Sequence, residues 1–360
     1  NPTEDITSPV KVQKEGITQR CLGLVSSFVQ HCAAIAVIVT VAAISAAMAQ
    51  DARFFRIGTG GIGGTYYPIG GIIANAISNP PGSRPCDRGG SCGVPGLVVI
   101  AQTSDGSVAN VDAIASGGID SGFVQSDVAY WAFTGTGTFA KKNPVKSLRA
   151  VANLYPDSVH IVVRSKTGIE NPHGLKGRRV SLDEKGSGAL VDARLILRAY
   201  GLDERRDILA SYLGSESAAL RLAAGKLDAF MTVAGYPVPA VSLALDKADA
   251  HILPLTGKPI KKLLASQKFF SRDEIPAELY GNAQPIPTVS VNALWVVPEW
   301  ADEELIYQIM KALWNDKSRK LLDEGHEKGR RIQLSSALQG VSIPLHLGAR
   351  RYYREVGIVE

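Results

Sequence analysis

The sequence predicts an α/β chain of two lobes with parallel-rich sheets and a ligand cleft between them. Three observations carry that prediction. Short apolar runs alternate with helical stretches in the order β-α-β-α-β-α over residues 54–133, the grammar of a parallel sheet covered on both faces. The same alternation returns over residues 180–233. Further apolar segments at 148–154, 159–163, 251–255 and 288–297 read as crossings between the two halves. The expected boundaries are 50–154 with 256–360 for a discontinuous first lobe, and 155–255 for the second.

Residues 1–49 read as a leader. Lys11, Lys14 and Arg20 precede an apolar run over 32–49, which closes Ala47-Met48-Ala49 ahead of the polar Gln50. That is the pattern of a secretory signal peptide, with cleavage expected near Ala49. The run is rich in alanine, with Val and Ile and no leucine, which argues against a membrane anchor. No later stretch is long and apolar enough to span a bilayer, so a soluble, periplasmic chain is expected. The 360 residues are 45% hydrophobic and 20% charged, with a net charge of +5 from 39 basic and 34 acidic residues. So mild and dispersed a charge does not predict nucleic-acid binding. Cys86 and Cys92 share a loop rich in Gly and Pro. An even pair in an oxidising compartment predicts a disulfide; a metal site would need more ligands than the neighbouring Asp87.

In chain order, a strand at 54–58 ends at Gly58, a glycine-rich turn follows, and a helix runs over 66–78 to Pro80-Pro81. A β-branched run at 97–101 reads as a buried strand, followed by a helix over 107–116 and a strand at 121–124. Ser126 or Asp127 is placed to cap the helix at 128–133. The second half offers a strand at 180–182, a helix over 189–200, a strand at 208–213, a helix over 215–224 and a strand at 227–233. Residues 303–314 form an amphipathic helix, and the tail after Gly340 reads as an unpatterned wrap.

Chemistry centres on the first strand–turn–helix junction. Glycine lets a backbone approach a ligand closely, and the first N–H groups of a helix are unpaired and sit at the positive end of its dipole. Together they suit an anionic group. Ligands of open parallel sheets sit beyond the carboxyl ends of the strands, where loops 60–66, 103–107, 125–127, 184–188 and 234–236 fall. Candidate ligand contacts are Gly61, Gly64, Thr65, Tyr66, Ser104, Gln125, Ser126, Asp127, Ser187, Gly188 and Gly235. Asp127 is either a carboxylate facing the cleft or a plain helix cap, and Ser187 and Thr65 are caps, ligand hydroxyls or both. Neighbours on a helix point apart, so one member each of Tyr66-Tyr67 and Tyr130-Trp131 belongs to a core. Arg164 ends a strand and is either a carboxylate partner or an exposed surface residue.

Other chemistries find little support. Gly58-x-Gly60-x-x-Gly63 formally matches a dinucleotide fingerprint, but residues 80–83 and the cysteine loop stand where its second strand and acidic residue belong. No cofactor is expected. His160, His173, His251, His326 and His346 are scattered at no ligand spacing, so no metal is expected. Hydrolase elbows and zinc-protease motifs are absent, so the chain is not expected to be an enzyme.

Four stretches together, Gly58 to Gly71, Cys86 to Gly96, Thr103 to Asn110 and Ser121 to Trp131, resemble the TAXI family of TRAP transporter solute receptors. Gly-Gly-Thr-Tyr-Tyr-Pro and Gln-Ser-Asp-Val-Ala are specific in combination. The resemblance implies a two-lobed periplasmic-binding-protein-like fold (type II-like). It also implies a small organic anion as ligand, such as glutamate or a related carboxylate, and a membrane-embedded TRAP permease as partner. On this expectation the carboxylate lies against N–H groups near Gly61, Gly64 and Thr65. Ser104, Gln125 and Ser126 add hydrogen bonds, Asp127 suits an amino group, and Ser187 and Gly188 reach across from the second lobe. Two rivals are a two-lobed sensor for a membrane signalling partner and an enzyme using Asp127 as general base.

Overall fold

The computed structural model describes residues 51–360; the expected leader lies outside them. The first half opens with β1 (Arg53–Gly58), α1 (Tyr66–Ile77), the short β2 (Ser78–Asn79) and β3 (Val94–Pro95), β4 (Leu97–Gln102), α2 (Ser107–Ala115), β5 (Ser121–Gln125) and α3 (Ser126–Thr134). The long β6 (Leu148–Arg164) leads into β7 (Arg179–Ser181), α4 (Gly188–Ala199), β8 (Leu209–Ser211), α5 (Ser215–Ala223), β9 (Ala229–Ala234), α6 (Pro239–Lys247), β10 (Ala250–Ile252), α7 (Gly257–Ser266) and β11 (Ser271–Ile275). The long β12 (Ile286–Pro298) returns to α8 (Glu303–Leu313), α9 (Asp316–Gly325) and α10 (Leu347–Glu355).

The main sheet runs β4-β1-β5-β12-β6-β9-β7-β8, with β10 on β6 and β11 on β12. β4, β1 and β5 are parallel, as are β9, β7 and β8. Between these sets, β12 and β6 lie antiparallel to their neighbours and to each other. β6 has 17 residues, about 55 Å at the usual rise per residue, so it reaches from one lobe into the other. β12 reaches across in the reverse direction. The two strands are the joint of a two-lobed α/β fold, and Ala52–Glu360 clusters as one unit around them.

Side-chain alternation explains why both faces of each half are covered. Phe123 and Trp295 enter one core with Ile57 and Ile73, while their neighbours Val124 and Leu294 enter the opposite core with Val111 and Val128. In the second half Met231 packs with Val180 and Leu190, and Phe230 with Val162 and Val241. Buried two-faced strands of this kind read as continuous apolar runs. Ile260, Leu263 and Phe270 join the second half's core although they follow residue 255. Val191 of α4 packs into the first half's core.

Four local expectations are corrected. Residues 148–164 form one strand, not two separated by Tyr155-Pro156-Asp157; Pro156 sits beside a register shift against β12, where a strand tolerates proline. Residues 251–255 are not a return crossing, because β10 pairs with the far end of β6, Val162 to Arg164. Neither Ser126 nor Asp127 caps α3; Gln125 holds the N-cap position without a side-chain bond. The tail is patterned after all: α10 lays Tyr353, fully buried, into the first core, where its hydroxyl donates to Val151 O at 2.9 Å.

Cys86 and Cys92 form the expected disulfide. Its loop is held to the helices by Asn315 Nδ2, which donates to Cys92 O at 3.2 Å, and by Lys317, which donates to Cys86 O. No described helix is long and apolar enough to cross a membrane.

Candidate functional site

A cavity of about 200 Å³ lies between the two halves, walled by the glycine turn of residues 60–64, the starts of α2, α4 and α5, and β9. Five helices begin around it, because both halves place strand-to-helix turns at the same edge of the sheet. Their N-termini are not equivalent. At α2, the N–H groups of Val108 and Ala109 donate to Gly186 O, both at 3.0 Å. At α4, the Leu190 N–H donates to Ser187 Oγ at 3.0 Å. At α3, the Val128 N–H donates to Asp127 Oδ1 at 2.8 Å. Of the five, only α4 has a side-chain cap from its N-cap residue; Gly106, Gln125, Thr65 and Gly214 give α2, α3, α1 and α5 none, and at α1 and α5 no bond of the kinds just described takes its place. The N-termini of α1 and α5 meet across the cavity, where Gly63 lies against Glu216.

The halves are in contact. The Thr65 hydroxyl donates to Gly235 O, and the Ala240 N–H donates to Gly63 O at 3.1 Å. A Cβ on Gly63 would stand 2.8 Å from Glu216 N, and one on Gly188 would stand 1.8 Å from Gln125 Oε1. Glycine at both positions is what allows this approach.

Of the sequence-derived candidates, Gly61, Gly64, Thr65, Tyr66, Gln125, Ser187 and Gly188 come together on the cavity wall. The other four do not reach it. Ser104 donates to Thr59 O and accepts from the Gly106 N–H, which shapes its own turn. Ser126 is buried, with its carbonyl accepting from Ser342. Asp127 is fully buried behind the wall. Gly235 is wedged against Tyr155 and Lys328. Tyr67 turns outward while Tyr66 turns in, packing edge-on against Phe123 at 5.6 Å. Tyr130 and Trp131 both contact Phe269 of the second half, 5.2 and 6.0 Å between ring centroids. Arg164 sits at the remote end of β6, opposite Ala250.

Sequence reasoning missed the acidic side of the site. Asp105, Asp183, Glu184 and Glu216 line the cavity, and among the described residues no lysine or arginine does. Asp183 has a left-handed backbone, φ 74°, and accepts from Thr232 Oγ1 at 3.1 Å. Burial pushes its carboxyl up to about 6. Burial and then Asp105 raise Glu184 as well. Beneath the wall, Asp157 is fully buried, and burial pushes it up to about 7 against the opposing pull of Tyr66 and Lys328. Tyr66 points toward this carboxyl, yet neither group completes a well-formed hydrogen bond. The Ser215-Glu216-Ser217 start of α5 was legible as a helix start, and it faces the first glycine turn. Among the described residues, no cluster of His, Cys, Asp or Glu is arranged to hold a metal.

Residues 57–357 match the NMT1-like family. The chain belongs to that family. The match takes in both halves. Among solved structures, it is similar to the alkanesulfonate-binding protein SsuA of Xanthomonas axonopodis pv. citri bound to MOPS: 18% identity over 86% of this chain and 85% of that one, TM-score 0.45. The periplasmic aliphatic sulphonate binding protein SsuA of Escherichia coli is similar at 16% identity, 84% and 83% coverage and TM-score 0.42. MatC of Rhodopseudomonas palustris with bound malate is similar at 14% identity, 85% and 97% coverage and TM-score 0.49.

Proposed function

We propose that this chain is an extracytoplasmic solute receptor that binds a small organic anion in the cleft and delivers it to a membrane transporter. The observation that carries the reading is that the N-termini of α1 and α5, which have neither a side-chain cap nor the N–H bonds seen at α2 and α3, meet across a cavity that no lysine or arginine among the described residues lines. Backbone N–H groups are then the available partners for a carboxylate. The acidic wall suits a cationic or N–H-bearing group at the ligand's other end. An amino acid can turn its carboxylate to the helix N-termini and its ammonium group to the acidic wall; a dicarboxylate with no ammonium group, such as malate, would set its second charge against Asp183 and Glu184 uncompensated.

The finer assignment is to the TAXI receptors, in the periplasm, with a TRAP-type permease as partner. It is supported by the glycine turn and by the Gln-Ser-Asp-Val-Ala junction. The receptor is taken to be non-catalytic: Asp127, the general base of the enzyme alternative, does not touch the cavity. Closure buries the ligand, and the closed shape is what a partner reads.

The test is a thermal-shift and calorimetric screen of residues 50–360 after refolding, against L-glutamate, L-glutamine, 2-oxoglutarate and malate. A ligand at a hundred times its dissociation constant adds about 2.7 kcal/mol. Binding of an amino acid without turnover supports the reading. Absence of binding by every carboxylate, with the protein folded, overturns it.

A further inference from the structure

Behind the cavity wall, two carboxyl groups from opposite halves meet. Asp127 belongs to the first turn of α3, in the first half, and Asp192 to the second turn of α4, in the second. Both are fully buried. Asp127 Oδ2 and both oxygens of Asp192 have no hydrogen-bond donor. Their chain neighbours Val128 and Val191 pack into one buried core, and each carboxyl is a charged neighbour of the other. The neighbouring groups do not relieve them. Asp157 of β6 adds a third carboxyl to the region, with Tyr66 of α1 and Tyr155 of β6 around it, and the cation here, Lys328, faces Asp157. Two ionised carboxylates cannot share such a dry site. One must be a carboxylic acid whose O–H donates to the other.

We propose that Asp127 and Asp192 form a proton-binding site assembled by cleft closure, so that closing, and ligand binding with it, takes up a proton. The step is simple in its balance. One proton from solvent adds to one carboxylate oxygen, and the resulting O–H bridges the two halves. Opening exposes both groups to water and releases it. The link to ligand rests on the receptor reading; the link to closure does not.

The direction of pH dependence follows. Burial pushes Asp127 up to about 6, and burial together with Asp127 raises Asp192 well above the carboxylate range. A proton held more tightly in the closed form favours closure; that contribution is complete below the ordinary carboxylate range of the open form and is lost progressively as pH rises through the raised values.

Closure has its own reporter: the Val108 and Ala109 N–H groups, which donate across the cleft to Gly186 O. Hydrogen exchange at these amides, corrected for intrinsic rate, is followed from pH 5 to 8 in the wild type, Asp192→Asn and Asp127→Asn. An asparagine amide donates to the remaining carboxylate without a proton. Wild-type protection is expected to fall with a slope steeper, by up to about tenfold per pH unit, than that of either variant, which keeps only the dependence due to Asp157 and Asp183. Level wild-type protection, or equal slopes in wild type and a folded variant, overturns the proposal. Level wild-type protection overturns the proposal even if both variants misfold. Calorimetry of L-glutamate at pH 7 in two buffers of different ionisation enthalpy then counts protons: an uptake by the wild type that exceeds that of Asp192→Asn by up to about one supports the link to ligand. Equal counts overturn that link. If L-glutamate fails to bind, the receptor reading loses that ligand while exchange still decides the proton site.

Discussion

The hydroxyl of Thr65 donates to the carbonyl of Gly235, a partner 170 positions later in the chain and on the other side of the cleft. The residue that opens α1 is therefore also a fastening between the halves. Cleft geometry and helix starts are built from the same few residues, and the first prediction concerns how tightly they fit.

Gly63→Ala places a methyl group 2.8 Å from the backbone nitrogen of Glu216. Backbone cannot swing aside as a side chain end can, so the halves must stand further apart. Affinity for whichever carboxylate the screen identifies is expected to fall at least tenfold, about 1.4 kcal/mol, with a larger radius of gyration in solution scattering. Unchanged scattering and affinity would show that closure does not depend on this contact.

Ser187→Ala should act mainly on stability. The Ser187 hydroxyl accepts from the Leu190 N–H at 3.0 Å and donates to Glu184 O at 2.8 Å, so its bonding capacity is largely used within its own turn. Loss of a helix cap costs about 1 kcal/mol, measurable in a urea titration. An affinity loss far exceeding that figure would instead identify the hydroxyl as a direct ligand contact.

His160 makes an acid-side prediction. It is fully buried; Nδ1–H donates to Ser158 O at 2.9 Å and Nε2 faces the Tyr280 hydroxyl at 3.4 Å. Burial lowers its pKa to about 3. The unfolded chain therefore binds a proton that the fold refuses between about pH 6.5 and 3, and the imidazole's contribution to stability falls as pH falls through that window. The stability difference between wild type and His160→Gln should shift against the wild type by up to about 1.4 kcal/mol per pH unit in that range. Parallel unfolding curves from pH 7 to 4 would mean the imidazole ionises in place.

Phe269→Ala tests an outer contact. Phe269 touches Tyr130 and Trp131 across the halves, away from the cavity wall. Aromatic pairs contribute about 1 kcal/mol beyond burial, so ligand affinity should drop several-fold through faster release. A change in association rate alone would refute a closed-state role.

Much of the architecture was legible because glycine turns and caps announce where strands become helices. Gly58, Ser107 and Ser187 each mark such a point in the sequence. The unbroken β6 was not legible, since Pro156 is an ordinary strand breaker unless a register shift accommodates it. The helix ending near Glu355 was hidden by its charged outer face, Arg350, Arg351 and Arg354. The glycine wall of the site was readable locally. Asp157 and Asp192 were not, because their burial depends on segments far away in sequence being brought together, which no short window records.

The passage of β6 and β12 between the halves has a consequence for synthesis. The chain begins the first half, leaves it at β6, completes most of the second, and returns only with β12. During vectorial emergence, β5 lacks its antiparallel neighbour until residues 293–296 appear, and Val151 waits longer still for the hydroxyl of Tyr353. The portion made first is thus among the last to mature. A nascent chain halted before β12 should leave its leading segment open to protease while most of the later insert is already assembling.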